Sequence, residues 1–245
     1  MVSLAVIISL AALSLIALTY VVYPVWQLIF PGKPMDFTGE FTPPLVSVVF
    51  AAYNESSIIE AKIRSIYNTN YPIDKLSVWI GSDLSNDGTD EIIRNLQSEF
   101  PQLNLHVNDN RSGKSATINS LIEQTTAEVI IATDANILFK ETTIEELVRP
   151  IALQKATAVA GTLAYEAGGV INSTATNEKV YLSLENAIRR AESRKHGICF
   201  GMEGGLYSMR KSFWKPIPPN TFMEDFFQTV QLIASDQKVL FNEAA

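Results

Sequence analysis

The most distinctive hydrophobic pattern in the chain is a long apolar segment at its N-terminal end. Residues 1–32 contain no charged residue, and Leu4–Phe30 is nearly continuous Leu, Ile, Val and Ala. About 20 apolar residues in a helix span a bilayer, so this segment is long enough to cross one. Tyr23 and Trp26 near its far end suit the membrane interface. The segment lacks the basic start and short apolar core of a cleaved signal peptide, and we predict a transmembrane anchor over residues 1–32.

A polar segment over residues 33–44 follows the anchor and is predicted to be a linker, because prolines stand near both of its ends. Lys33 is the cation nearest the predicted span, and Asp36 and Glu40 follow it. The positive-inside rule then favours a cytoplasmic position for the rest of the chain.

Beyond the linker, short apolar runs alternate with amphipathic stretches, which is typical of an α/β domain. In the first half, strand–helix units follow one another three times and end in a fourth strand. Such crossovers favour parallel strands, and ligands then bind at the carboxyl ends of the strands. The predicted strands are Leu45–Ala52, Leu76–Ile80, Leu103–Val107, Glu128–Thr133, Leu206–Met209 and Lys238–Phe241, and the predicted helices are Ser56–Asn68, Thr89–Phe100, Lys114–Gln124, Thr142–Gln154, Glu178–Lys195 and Phe222–Ala234.

Composition narrows the possible partners of the chain. The 245 residues carry a net charge of -7, and 47% of them are hydrophobic. An acidic protein is not suited to binding nucleic acid through its overall field, because neutralising phosphates needs clustered Lys and Arg, so we expect no nucleic-acid partner. Cys199 is the only cysteine, which excludes an internal disulfide and a multi-cysteine zinc site.

Three loops at predicted carboxyl ends of strands are rich in acidic and amide side chains, namely residues 52–55, 81–89 and 133–136. Asp134 and Asn136 place oxygen ligands two residues apart, so both can face one hard cation such as Mg2+ or Mn2+ that also holds phosphate oxygens. Asp, Asn, Gly and Ser also form turns and helix caps, and for any one loop that explanation is sufficient. The common placement of all three at the ligand edge favours a site for a nucleotide and a metal.

These loops carry motifs that resemble those of a known family. The segments LVSVVFAAYNE at 45–55, GSDLSNDGT at 81–89 and TDAN at 133–136 are similar to segments of the family 2 glycosyltransferases of the GT-A fold, and the resemblance covers nearly all of 45–245. It implies a Rossmann-like nucleotide-diphospho-sugar transferase domain over 45–245, preceded by one N-terminal transmembrane helix. We expect a nucleotide-binding half at 45–136 and an acceptor half at 137–245.

The resemblance also implies roles for individual residues of the donor site. Lys114, in a Gly-Lys segment, is expected near the nucleotide. The metal-carrying DxD motif of the family falls on Asp134 and Asn136, where an amide replaces the second carboxylate and should hold Mn2+ or Mg2+ less tightly. The residues expected to bind the donor are Ala52, Tyr53, Glu55, Asp83, Lys114 and Asp134.

The acceptor side of the resemblance rests on two segments. Residues 201–207 are similar to a Gly-rich segment beneath the acceptor, and Met223-Glu224-Asp225 resembles a Glu-Asp motif at a helix N-terminus. Both acids are expected to be catalytic, with Asp225 as the base that takes the acceptor proton in an inverting displacement. Glu224 is alternatively a helix N-terminal acid stabilised by the macrodipole. The implied reaction moves a sugar from a nucleotide-sugar, a UDP-sugar above all, to a glycan or lipid-linked acceptor in glycan or cell-envelope polysaccharide synthesis.

Other functions remain open at this point. A catalytically inactive, membrane-attached protein that binds nucleotide-sugars or acts as a scaffold would keep the same fold, although the presence of Asp83, Asp134 and Asp225 together argues against it. A P-loop NTPase is disfavoured because Asn108 stands where the phosphate-binding loop needs Gly. The Gln-x-x-Arg-Trp motif of processive members does not follow Asp225, and we expect the sequence to be a piece of a longer polypeptide rather than a compact non-processive enzyme.

Overall fold

The computed structural model describes residues 3–163, 173–202, 205–219 and 221–245, with the backbone alone for residues 173–181. The described part contains a seven-stranded sheet with the order β3-β2-β1-β4-β6-β5-β7. Its strands are β1 Val46–Ala52, β2 Leu76–Ser82, β3 Leu103–Val107, β4 Val129–Thr133, β5 Ala158–Ala160, β6 Leu206–Arg210 and β7 Val239–Phe241.

Strand directions follow the crossovers in the first half of the domain. The pairs β1–β2, β2–β3 and β1–β4 are parallel, as predicted. Strand β6 runs antiparallel to both β4 and β5, and β5 pairs in parallel with β7. The sheet is therefore mixed, and its parallel part brings the carboxyl ends of β1, β2 and β4 to one edge. The predicted α/β fold class is confirmed.

Helices cover both faces of this sheet, as an apolar, mainly parallel sheet requires. One face packs against α3 (Ile59–Tyr67), α4 (Thr89–Leu96) and α6 (Thr143–Ala152), which bury Ile63, Ile93 and Leu147 against it. The opposite face packs against α5 and α8 and buries Leu121 and Leu232. The helices of the domain are α3 Ile59–Tyr67, α4 Thr89–Leu96, α5 Gly113–Gln124, α6 Thr143–Ala152, α7 Ser173–His196 and α8 Glu224–Ala234.

The predicted anchor is helical throughout, as α1 Leu4–Ala17, a π-helical turn at Leu18–Val22 and α2 Tyr23–Ile29. The π turn ends two residues before Pro24, whose missing N–H interrupts the α-helical ladder. The combined helix Leu4–Ile29 has 26 residues and is long and apolar enough to cross a membrane. Its apolar side chains are exposed, which is costly in water and suits a lipid environment.

Polar contacts join the end of this helix to α7. The Lys195 ammonium donates to Gln27 Oε1 at 2.8 Å and lies 5.7 Å from the centroid of the Trp26 ring. The Tyr23 hydroxyl donates to the Glu192 carboxylate. These contacts come from the last two turns of the apolar helix, so the helix leaves the domain in a defined direction.

Several predicted boundaries were wrong. The helix predicted at Ser56–Asn68 begins at Ile59, because the N–H groups of Ile58 and Ile59 close a turn onto the Glu55 carbonyl. The helix predicted at Thr89–Phe100 ends at Leu96, and the one predicted at Phe222–Ala234 begins at Glu224. The three-residue strand β5 was missed, since Ala-Val-Ala is too short and too rich in Ala to signal a strand.

Candidate active site

A cavity of about 360 Å3 lies at the carboxyl ends of β1, β2 and β4. All three loops that the sequence pointed to contribute to it, together with the loop before α5. Its lining residues are Ala51, Ala52, Tyr53, Glu55, Asp83, Arg111, Gly113, Lys114, Asp134, Ala135 and Asn136. Every residue predicted to bind donor or metal is among them, whereas Glu224 and Asp225 are not.

Asp83 is the most fully bonded side chain of the cavity. It directly follows β2 and is 4% exposed. Burial by itself raises the pKa of this carboxyl, but the hydrogen bonds it accepts outweigh burial and hold the pKa below its usual value. Its Oδ1 accepts from Asn108 Nδ2 at 2.9 Å and from the Ser112 N–H at 2.7 Å, and its Oδ2 accepts from Arg111 Nε and the Gly113 N–H, both at 3.1 Å. Asp83 therefore fixes the loop that leads into α5.

Gly113 takes part in this arrangement through its backbone. Its φ is +78°, a left-handed conformation that a side chain would strain, and its N–H points at Asp83. Thr117, one turn into α5, donates its hydroxyl to the Gly113 carbonyl at 2.9 Å. The N-terminus of α5 is thus fastened to the end of β2.

Arg111 connects this loop to the first loop. Its guanidinium carbon lies 3.6 Å from the centroid of the Tyr53 ring while its Nε donates to Asp83. Tyr53 itself is 42% exposed. The first and second loops are also joined directly, since the Asn86 N–H donates to Asn54 Oδ1 at 2.9 Å and the Glu55 N–H to Thr89 Oγ1 at 2.9 Å. An aromatic face and a buried carboxylate stand side by side here, both capped by one exposed arginine.

Lys114 links Asp134, which lines the cavity, to Glu224 of the Glu-Asp motif. Its ammonium lies 2.7 Å from Asp134 Oδ1 and contacts the Glu224 carboxylate as well. Burial opposes the charge, but the bonds to Asp134 and Glu224 outweigh burial and raise the pKa of Lys114. Asp134 and Asn136 follow β4, and the Asn136 side chain is exposed and makes no hydrogen bond within the described residues.

The two acids of the Glu-Asp motif begin α8 and differ in environment. Glu224 is buried and paired with Lys114. Burial raises the pKa of Asp225, and the neighbouring Glu224 charge raises it further, while the Phe226 N–H, which donates to Asp225 at 2.8 Å, opposes both effects. A carboxylate with a raised pKa is a stronger base than an ordinary one. The Tyr207 hydroxyl nearby is buried without a hydrogen-bond partner among the described residues, and burial raises its pKa.

The side-chain oxygens of Asp134 and Asn136 suit a hard divalent cation. One carboxylate and one amide oxygen, from Asp134 and Asn136, face the same cavity. The described residues contain no group of three or more His, Cys, Asp or Glu that could hold a metal by themselves. Further ligands would therefore come from a diphosphate and water, which is how Mg2+ is commonly bound.

Sequence reasoning missed three polar residues around the cavity, namely Asn108 as a partner of Asp83, Arg111 and, beneath β4, Lys62. Lys62 had a visible signal, because it lies on the apolar stripe of α3 with Ile59 and Ile66. Residues 203–204 of the predicted Gly-rich segment lie outside the described residues. The roles predicted for the cavity residues and for Glu224 and Asp225 stay predictions.

Residues 47–215 match the model of glycosyl transferase family 2, which is more than half of the chain. The chain belongs to this family. It is 31% identical over 109 residues to a beta-monoglucosyldiacylglycerol synthase of Trichormus variabilis, covering 43% of this chain and 23% of that protein. It is 30% identical over 95 residues to glycosyltransferase AglE of Haloferax volcanii, covering 39% and 31%. The matches thus span less than one third of these curated relatives.

Solved structures give the same fold. The mannosyltransferase PcManGT of Pyrobaculum calidifontis, in complex with GDP-Man and Mn2+, superposes with a TM-score of 0.76 at 23% identity, over 93% of this chain and 64% of that one. TarS 1-349 of S. aureus, in complex with UDP-GlcNAc, gives a TM-score of 0.62 at 14% identity, over 82% and 56%. At these identities the likeness concerns the fold alone, and the predicted GT-A fold is confirmed.

Proposed function

We propose that the protein is an inverting glycosyltransferase that moves a sugar from a UDP-sugar to an acceptor hydroxyl on a glycan or lipid-linked glycan, in cell-envelope polysaccharide or related glycan synthesis. The observation that carries the proposal is the single ammonium of Lys114 between Asp134 and Glu224. Because one ammonium contacts both carboxylates, the predicted diphosphate site at Asp134 and the predicted acceptor site at Glu224 lie next to each other. Family membership and a neighbour that contains GDP-Man and Mn2+ support donor binding at this cavity.

The nucleoside is proposed to bind where Arg111 now lies. Arg111 covers the face of Tyr53 and supplies one of the four donors to Asp83. Its side chain is 55% exposed, so it can leave at small cost. A pyrimidine base would then stack on Tyr53 and donate its imide N–H to Asp83. Ala52 and Glu55 would complete the wall around the nucleoside.

The reaction requires that the negative charge of the leaving diphosphate be neutralised and that a proton be taken from the acceptor hydroxyl. A divalent cation held by Asp134 and Asn136 would neutralise the leaving diphosphate. Lys114, charged and within reach of the same cavity, would exchange its contact with Asp134 for one with a phosphate oxygen. Asp225 would take the proton from the acceptor hydroxyl as the base, and the raised pKa of its carboxyl favours that transfer. Glu224 would hold Lys114 in place.

Nucleotide binding tests this proposal. Isothermal titration of the protein in detergent would compare UDP, GDP and their sugar conjugates with and without Mn2+. We expect UDP to bind and Mn2+ to strengthen that binding. Tighter binding of GDP would overturn the choice of donor, and binding of neither would favour a scaffold. The NTPase alternative predicts release of phosphate from ATP, which the same samples would reveal.

We further propose that Leu4–Ile29 crosses a membrane and leaves the catalytic domain on the cytoplasmic side. Cys199 is buried, so a cysteine introduced at the exposed Glu40 would be the reactive thiol. Labelling Glu40→Cys with a membrane-impermeant maleimide in vesicles of known orientation distinguishes the two sides. Labelling in right-side-out vesicles would contradict the cytoplasmic position.

A further inference from the structure

Lys62 in α3 is a lysine in an unusual place. The residue is 0% exposed, and lysines are almost never fully buried without a charged partner. Within the described residues it forms no ion pair with a carboxylate. Burial lowers the pKa of Lys62 well below its ordinary value, and the charge of Asp134 offsets this only in part. Such a side chain is costly to bury.

The contacts of the Lys62 ammonium converge on one turn. It donates to Thr133 Oγ1 at 3.0 Å and to the carbonyl of Ile137, and it lies 4.1 Å from the centroid of the Phe139 ring. Thr133 is the residue directly before the predicted metal ligands, and Ile137 is the residue directly after them. The ammonium therefore ties together both ends of the segment 134–136.

Other bonds hold the same turn to the acceptor side. The Thr133 hydroxyl donates to the Gly205 carbonyl at 2.8 Å, and the Asp134 N–H is 3.3 Å from the same oxygen. The Ile137 N–H closes the turn onto the Asp134 carbonyl at 3.3 Å. With Lys62 removed, the Ile137 carbonyl would lose its side-chain partner. Ile137 itself would keep only the long backbone bond to Asp134, and the next bond to α3 would be the one from the Phe139 N–H to Ser65 Oγ at 3.1 Å.

We propose that Lys62 is a positioning residue for the metal-binding turn, holding Thr133 and Ile137 so that Asp134 and Asn136 face the same cation. This rests on the proposed function, in which those two residues bind the metal. A lysine that merely filled the core would be replaceable by methionine with no effect on Mn2+ binding, because the two side chains are similar in length and bulk. The positioning role predicts a specific loss instead.

The experiment compares Lys62→Met with the wild type and with Lys140→Met, a control that removes an exposed lysine close to the same turn. UDP affinity would be measured by isothermal titration in metal-free buffer and again with Mn2+, and Mn2+ binding by electron paramagnetic resonance. For Lys62→Met we expect unchanged UDP affinity without metal and an enhancement by Mn2+ reduced at least tenfold. The unfolding temperature should stay close to that of the wild type, because relief of the burial cost of the lysine offsets the unpaired Ile137 carbonyl. Lys140→Met should match the wild type in all three.

Each other outcome has a defined meaning. Full Mn2+ enhancement in Lys62→Met overturns the positioning role and leaves the proposed function intact. A parallel loss of metal-free UDP affinity also overturns it, since the role would then be generally structural. Absence of Mn2+ enhancement in the wild type overturns the proposed metal dependence and this inference with it. If Lys62→Met does not fold, Thr133→Val decides, because it removes the Lys62 acceptor together with the bond to Gly205 and retains the shape of the side chain. Unchanged enhancement by Mn2+ in that variant overturns the proposal.

Discussion

Replacing Lys114 by Met is expected to change metal and nucleotide affinity in opposite directions. The ammonium lies 2.7 Å from Asp134 Oδ1. Both side chains are 39% exposed, so we take the dielectric constant of water to screen their charges. Coulomb's law then gives about 1.5 kcal/mol for the attraction between Lys114 and Asp134. A cation that binds Asp134 must displace this ammonium. Without Lys114, the affinity for Mn2+ alone should therefore rise about tenfold.

Nucleotide affinity should fall in the same variant, because the proposed phosphate contact of Lys114 is lost. Electron paramagnetic resonance titration of free Mn2+ measures the first effect, and isothermal titration with UDP in the presence of saturating Mn2+ measures the second. Lys114→Arg, which keeps the charge, should leave the Mn2+ affinity near that of the wild type. If Mn2+ binds Lys114→Met and the wild type equally, the ammonium does not compete for Asp134, and the reasoning from this ion pair is refuted.

Three further predictions concern segment 134–136, Asp225 and the packing of α5. Asp134→Ala should abolish the strengthening of UDP binding by Mn2+, whereas Asn136→Asp should keep or increase it, because a second carboxylate attracts a hard cation more strongly; unchanged titration curves for Asp134→Ala would contradict the metal assignment. Asp225→Asn should retain UDP binding and lose about 100-fold in turnover; since burial raises the pKa of Asp225, the wild-type rate should fall in acid at a higher pH than an ordinary carboxylate gives. Gly81→Ala should cost about 2 kcal/mol in urea unfolding, because its Cβ would lie 2.1 Å from Thr117 Cγ2, and Thr117→Ser added to it should recover most of that loss.

Local patterns were sufficient to predict where the site lies. The acidic loops follow strands that are recognisable as short apolar runs, and crossover topology places the ends of those strands at one edge. Asp83 and Asp134 could therefore be expected near each other from the sequence. The same reasoning could not give the direction of β6, because an alternating or apolar run looks the same in parallel and antiparallel strands.

Contacts between distant segments were beyond such reasoning. Arg111 appears in the sequence as one basic residue of a loop, and only the fold brings Tyr53 beneath it and Asp83 beside it. The pairing of Lys114 with Glu224 depends in the same way on the fold, which brings the start of α8 close to the start of α5. Lys62 is different, because the sequence alone places this lysine among the apolar residues on one side of α3. A charged residue type at a core position is a local inconsistency, and it could have identified Lys62 as a functional residue.

Lys62 and Lys114 both interact with Asp134, and their environments suit them to different tasks. Lys62 is fully buried, bonded to neutral oxygens, and cannot leave without exposing apolar core, so it can hold the backbone of the turn. Lys114 is partly exposed, bonded directly to two carboxylates, and can change partners when charge enters the cavity. A site that binds a cation and an anion together needs both properties, because the ligands of the metal must stay fixed while the countercharge moves. In the proposed site, Lys62 therefore stays fixed beneath segment 134–136, and the Lys114 ammonium is the countercharge that moves.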